Sequence, residues 1–264
     1  MKTINHKLKL ILRYLIISYK QKREFKSEFI SYISSVALGI VGIFVFWYSL
    51  KTSGVRFQGW SFDEILILNG FYFLSKAIST FSFGFRDLEY KIIDGSFDTY
   101  MMRPHSPFFM LACERFNLIF LLTNLILSMA LIIWGVLQFS TSLFRIIMAF
   151  LISLMSSLAI EIFYMSFSLL SFYFGKIYYA RELLFSLTDA KKYPLDIFPK
   201  GMIQFFTYFM PLIAIATIPT KIMTNSNYGF TNVFSIVAMI LLLQILLYKF
   251  LKRKVLNIYC GTGN

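Results

Sequence analysis

The sequence predicts an all-α polytopic membrane protein with six transmembrane helices. Three observations predict it. Of the 264 residues, 58% are hydrophobic and 19% are aromatic, including 31 Phe and 16 Tyr. Only 15% are charged, against about 25% in soluble domains. A single soluble core of this size would leave too much of that apolar surface outside. Composition therefore argues against a soluble globular enzyme, and against a disordered or collagen-like chain. The third observation is that mostly apolar runs of about 20 residues, the length of a bilayer-crossing helix, recur along the chain.

The first element, residues 1–28, reads as a basic amphipathic helix. At 100° per residue, Lys2, Lys9, Arg13 and Lys20 fall on one side, and Ile4, Leu8, Ile11 and Leu15 on the other. Such a helix lies in the membrane interface; simple anchoring is the competing reading. No cleavable signal peptide is expected, because the first apolar run lacks a small-residue cleavage site.

Six spans follow, in a membrane domain over 29–253 with a cytoplasmic tail at 254–264. Four are uninterrupted: Phe29–Leu50, Pro107–Leu137, Leu143–Tyr173 and Thr231–Phe250. A fifth run, Glu64–Phe85, contains Lys76, and a sixth, Gly201–Met223, contains Pro211 and Pro219. Residues 176–223 admit two readings. Five basic residues in 176–200 favour a cytoplasmic loop before a kinked span. The prolines at 194, 199, 211 and 219 also fit a short span followed by a re-entrant hairpin, since broken backbone is tolerated only where protein or water covers it.

Orientation follows from Lys and Arg. Twenty of them lie in the N-terminal stretch, the loops after the second and fourth spans, and the tail. Only Lys51, Arg56, Arg145 and Lys221 lie in the other loops. The positive-inside rule places both termini in the cytoplasm. It also accounts for the net charge of +13, so no nucleic-acid partner is expected. Cys113 and Cys260 give no disulfide framework and read as free thiols. Trp47 and Trp60 suit an interfacial aromatic belt.

Catalytic signatures are missing. There is no G-x-x-x-x-G-K-[ST] phosphate loop, no G-x-S-x-G and no H-E-x-x-H. His6 and His105 are too few for a metal cluster. The most informative polar segment is 86–103, which follows the second span. Leu88 and Ile92 are spaced for a short helix, Asp94-Gly95-Ser96 for its end. Exposed Tyr90, Phe97, Tyr100, Met101 and Met102 would suit a partner surface better than free solvent.

The run Asp94-Gly-Ser-Phe-Asp-Thr-Tyr-Met-Met-Arg-Pro104 resembles the G-x-L-D-x-Y-L-x-R-P signature of ABC-2 type permeases. Gly95, Asp98, Tyr100, Arg103 and Pro104 match it. Tyr193-Pro-Leu-Asp-Ile-Phe-Pro199 is similar to that family's Y-P-L-x-I-Y-P region, and the tail Tyr259-Cys-Gly-Thr-Gly263 to its R-Y-x-x-A-G ending. The tail departs at Asn257-Ile258 and Thr262.

The resemblance implies a permease subunit of an ABC exporter, not itself an enzyme. It implies two separate ABC ATPase subunits that hold ATP and Mg, no cofactor in this chain, and a second permease copy or a sister permease. It implies a bacterial cytoplasmic-membrane location. It makes 86–103 the coupling segment, with Glu89, Gly95, Asp98, Tyr100, Arg103 and Pro104 as its residues: Gly95 for the turn, Asp98 and Arg103 for polar contacts to the ATPase, Pro104 for the entry to the third span.

Within the spans, Lys76 and Glu161 sit at similar depth. They are expected to pair, or to line a substrate path, because ionisable groups in lipid are costly. Glu114 and Arg115 are expected to snorkel, and Asn69, Asn117 and Asn124 to bond between helices. Substrates from drugs and peptides or bacteriocins to lipids stay open. Two rival readings are an ion-coupled secondary transporter, which would show matching breaks in two halves, and an immunity or scaffold protein without an ATPase.

Overall fold

The computed structural model describes residues 16, 20, 26–53, 59–225 and 228–259. The described residues are helical, without strands. The expected interfacial helix at 1–28 lies almost wholly outside them. Four helical stretches are long and apolar enough to cross a membrane: Phe62–Ile93, Leu118–Phe139, Leu143–Phe174 and Thr231–Ile258. A further helix, α1 (Lys26–Thr52), covers the first expected span.

The second span opens with α2 (Phe62–Ser79). Its start is fixed by a reciprocal cap: Ser61 Oγ accepts from the Glu64 amide at 3.3 Å, and the Ser61 amide donates to Glu64 Oε2 at 2.7 Å. The helix tightens into a 3₁₀ stretch over Thr80–Asp87 and continues as α3 (Leu88–Ile93). A short α4 (Asp98–Met101) follows.

The expected third span, Pro107–Leu137, is two helices. α5 (Pro107–Glu114) ends before Asn117, and α6 (Leu118–Phe139) begins after it. The reason is local. The Asn117 side chain accepts from the Phe120 amide at 3.1 Å, which is an N-cap, and its own amide donates to Thr80 Oγ1 at 3.0 Å. An asparagine that caps cannot also continue a helix. Nor do the other asparagines bridge helices: Asn69 and Asn124 each donate to a carbonyl of their own helix.

α7 (Leu143–Ser168) is nearly continuous with α8 (Ser171–Phe174), matching the expected fourth span. The last long helix, α12 (Thr231–Ile258), is uninterrupted. The main core lies where Ile67, Leu68, Phe71 and Leu74 of α2 meet Ile132 of α6 and Ile152 and Ile160 of α7. Trp47 and Trp60 belong to this core and are buried rather than belted at an interface.

Residues 176–224 are not a solvated loop. α9 (Tyr178–Thr188) and the chain after it run antiparallel along the second span. Arg181 meets Glu89, Phe185 meets Arg86, the Lys191 ammonium donates to Ser75 Oγ at 2.8 Å, and Trp60 Nε1 donates to Asp196 at 2.9 Å. The chain then turns at Pro199 into α10 (Lys200–Gln204) and a π turn (Phe205–Phe209), whose Phe209 stacks edge-on with Phe163 of α7. It unwinds at Met210–Ala216, where Pro211 removes a donor, and returns as α11 (Thr217–Thr224).

The return arm is secured by side chains. Ser153 Oγ donates to the Ile215 carbonyl at 2.6 Å, Arg145 to the Ile222 carbonyl at 2.8 Å, and Thr141 to the Met223 carbonyl at 2.7 Å. Thr217 Oγ1 accepts from the Leu195 amide at 3.1 Å, tying the two arms. Pro194 and Pro199 flank a 3₁₀ turn at Leu195–Ile197. Pro219 sits in the first turn of α11, where it costs no hydrogen bond.

A second core lies at the far end of the second span. Phe85, Leu88, Phe97, Tyr100, Phe108, Leu111 and Val255 build it. Gly84 makes that core possible: a Cβ there would lie 1.8 Å from the Leu111 carbonyl oxygen and 2.6 Å from its carbon. The obstacle is backbone and cannot swing away. Gly84→Val is expected to destabilise the protein by about 1–3 kcal/mol through overpacking. The check is the thermal unfolding midpoint in detergent, and an unchanged midpoint would contradict the close approach.

Candidate functional site

Two regions carry the polar chemistry. The first is the segment 86–103. Gly95 has φ +76°, a conformation that favours glycine, and it turns the chain from α3 into α4. Glu89 faces inward. Its carboxylate lies 3.2 Å from the Arg181 guanidinium, with side-chain exposures of 2% and 3%. Glu89, named for the coupling segment, thus braces that segment against α9 from within.

Asp98 and Tyr100 are engaged within the chain as well. Asp98 accepts from the Tyr259 hydroxyl at 2.7 Å, and the Tyr259 ring packs on Phe97 and Phe172. Burial, then the bond to Asp98, push the Tyr259 phenol up to about 12. Tyr100 donates to Glu114, and Lys91 donates to both, reaching Glu114 at 3.1 Å. Burial pushes the Glu114 carboxyl up, but the bonds from Tyr100 and Lys91 outweigh it and hold it low. Arg115 pairs with Asp87 at 2.7 Å. Glu114 and Arg115 are thus partners of the segment rather than free snorkelling groups.

What the segment presents outward is mostly apolar, with Asp94, Thr99 and Arg103 beside it. Tyr90, Ile93, Met101 and Met102 are exposed, Met102 at 79%. Phe97 and Tyr100, expected outside, are buried. Arg103 and Pro104 are exposed, with the Arg103 guanidinium 5.3 Å from the Tyr100 ring centre.

The second region lies along the inner side of the second span. Lys76 and Glu161 line one cavity of about 200 Å³, but no hydrogen bond or ion pair joins them. Lys76 stacks 4.8 Å over the Tyr72 ring and interacts with Asp189. Glu161 accepts from Ser82 Oγ at 2.5 Å and interacts with Lys191 and Arg86. The expected pairing is thus replaced by two separate ones, each using an acid or a base from the 189–192 turn. Asp189 itself accepts from Tyr72 at 3.2 Å and from Lys192 at 3.0 Å. A second cavity of about 390 Å³ lies toward Trp47 and Asn69. Lys76 and Asp189 line both cavities and stand between them.

Sequence reasoning missed Arg86, Arg181, Asp189 and Lys191 as site residues. Their charges were counted toward a loop. The available signal was the apolar run Leu183–Leu187 between them, which a free loop has no reason to carry. Among the described residues, no group of His, Cys, Asp or Glu is arranged to hold a metal ion. Cys113 is a free, half-buried thiol, and Cys260 lies outside the described residues.

Long apolar helices with charges satisfied inside the bundle define a polytopic helical membrane protein. The family model for the ABC-2 family transporter protein matches residues 37–263, and the chain belongs to that family. It is an ABC-type permease, a transmembrane subunit of a kind that associates with ABC ATPases. No curated protein and no solved structure matches it.

Two outcomes follow. Arg181→Met leaves the Glu89 carboxylate buried and unpaired, which costs about 3–5 kcal/mol. The double change with Glu89→Met is expected to recover most of that loss in thermal unfolding, and a double variant as unstable as the single one would show that the pair is not the cause. The depressed Glu114 carboxyl contributes stability that is present above its ordinary value of about 4.3 and is lost as pH falls through its lower folded value. The midpoint difference between wild type and Glu114→Gln should hold from neutral pH down to about 5 and close below about 4. A difference that stays constant to pH 3 would contradict the cluster.

Proposed function

We propose that this chain is the permease subunit of an ABC exporter. It moves a lipophilic or amphipathic substrate across the bacterial cytoplasmic membrane. ATP and Mg are held by separate ATPase subunits, and the permease works as a pair, with a second copy or a sister chain. The observation that carries the reading is the 86–103 segment: buried charge braces it from within, while its outer face shows exposed apolar side chains. A braced body with an apolar face suits docking by a soluble partner. Gly95 gives the turn, Arg103 and Pro104 stand at the rim, and Asp98 and Tyr100 hold the segment in shape.

The reading has six crossings, four of them the long apolar helices, with both termini in the cytoplasm by the positive-inside rule. The fifth crossing is the run from Tyr178 to Pro199 rather than 201–223, and Lys200–Thr224 is a re-entrant hairpin closing the outer side. This places Pro199 and Pro211 at the two bends of the hairpin, and Pro194 just before it. The two cavities on either side of Lys76 and Asp189 form the route along the second span.

The test is co-purification of the tagged chain from its native membrane. A stoichiometric soluble subunit with a phosphate-binding loop is expected. Met102→Glu should cut its recovery at least fivefold without moving the thermal midpoint, and Gly95→Leu and Arg103→Glu should lower substrate-dependent ATP hydrolysis. A folded chain recovered alone would sink the reading.

A further inference from the structure

We propose that the smaller cavity is a binding site for an oxyanion, a phosphate or carboxylate, carried as the headgroup of an amphipathic molecule. This rests on the transport reading above and names the substrate class. Charge comes first. Lys76, Arg86 and Lys191 line the cavity, against Glu161 and Asp189. With Lys192, which pairs with Asp189 at 3.0 Å, four cations stand against these two acids, and the excess is positive.

The cations are also poised. The Arg86 guanidinium lies 4.4 Å from the centre of the Phe185 ring and 4.8 Å from that of Phe83. It makes no hydrogen bond or ion pair with the described residues. The ring contacts use none of its N–H donors, and the fork of those donors matches the two oxygens of a phosphate or carboxylate. The Lys76 ammonium likewise makes no hydrogen bond or ion pair; it lies over the Tyr72 ring and interacts with Asp189 at longer range.

Size then selects an amphiphile. A cavity of about 200 Å³ is smaller than the 300–1,000 Å³ that drug-sized ligands occupy. It admits a headgroup, and the rest of the ligand must lie outside it. Phe83, Phe120 and Phe185 in its wall offer apolar surface to a hydrocarbon tail.

The experiment uses the permease purified with its ATPase partner in maltoside detergent, which brings no phosphate. Dodecyl phosphate, dodecyltrimethylammonium and inorganic phosphate are titrated, with ³¹P NMR for the phosphates and equilibrium dialysis for the ammonium. Saturable binding of dodecyl phosphate is expected, at least tenfold tighter than the other two. Arg86→Gln should weaken it at least tenfold, Lys76→Gln severalfold, and Arg86→Lys less than Arg86→Gln. The exposed Lys249→Gln should leave it unchanged. Thermal midpoints and retained ATPase in each sample control for folding.

Equal binding of the anionic and cationic amphiphiles, or no loss in folded Arg86→Gln, overturns the inference. Inorganic phosphate binding as tightly as dodecyl phosphate, with both lost in Arg86→Gln, upholds the oxyanion site and overturns the amphiphile. Loss of the ATPase from the wild-type preparation would be failure of the transport reading instead, seen before any ligand is added.

Discussion

A carboxylate and a guanidinium withdrawn from water each cost several kcal/mol, and only close mutual contact offsets this. Glu89 and Arg181 meet that condition at 3.2 Å, both almost wholly buried. The pair lies where three elements converge: the end of the second span, the turn to α4, and the start of α9. Because neither charge tolerates burial without the other, the pair sets where α9 begins its path along the second span. The alignment of Phe185 with Arg86, of Lys191 with Ser75 and of Asp196 with Trp60 follows from that starting register.

The same constraint governs the interior. Among the described residues, Lys76, Arg86, Glu161, Asp189 and Lys191 each find a ring, a hydroxyl or an opposite charge. The 189–192 turn supplies much of this, giving an acid to Tyr72 and a base to Ser75. Breaks in the backbone are handled likewise, with Ser153, Arg145 and Thr141 accepting the task of binding carbonyls freed near Met210–Thr224. The hairpin is thereby held by hydrogen bonds rather than by helix continuity.

The all-helical class and most long helices were legible because an apolar run of sufficient length has few other solutions. The third span misled because Asn117 acts by capping, a role that an apolar window does not weigh. The 176–223 region stayed open between two readings for a different reason. Five positive charges read as cytoplasm, yet two of them meet partners far away in sequence, Arg181 with Glu89 at 92 residues and Lys191 with Ser75 at 116. The family signature singled out a segment that packs as a braced unit, yet which of its side chains face outward depended on contacts with α5, α9 and Tyr259. Met102 and Phe97 are both apolar and close in sequence, and they differ only in what packs on them.

The 3₁₀ stretch at Thr80–Asp87 works as a change of thread in a screw. Each residue there advances about 2.0 Å and turns about 120°, against about 1.5 Å and 100° in an α-helix. Over its 8 residues, everything beyond it stands about 4 Å further along the axis and about 160° further round. A wheel drawn straight through from Phe62 would put Glu89 on the wrong side. The tightened thread is what turns its carboxylate to Arg181, and it lets Gly84 meet the Leu111 backbone.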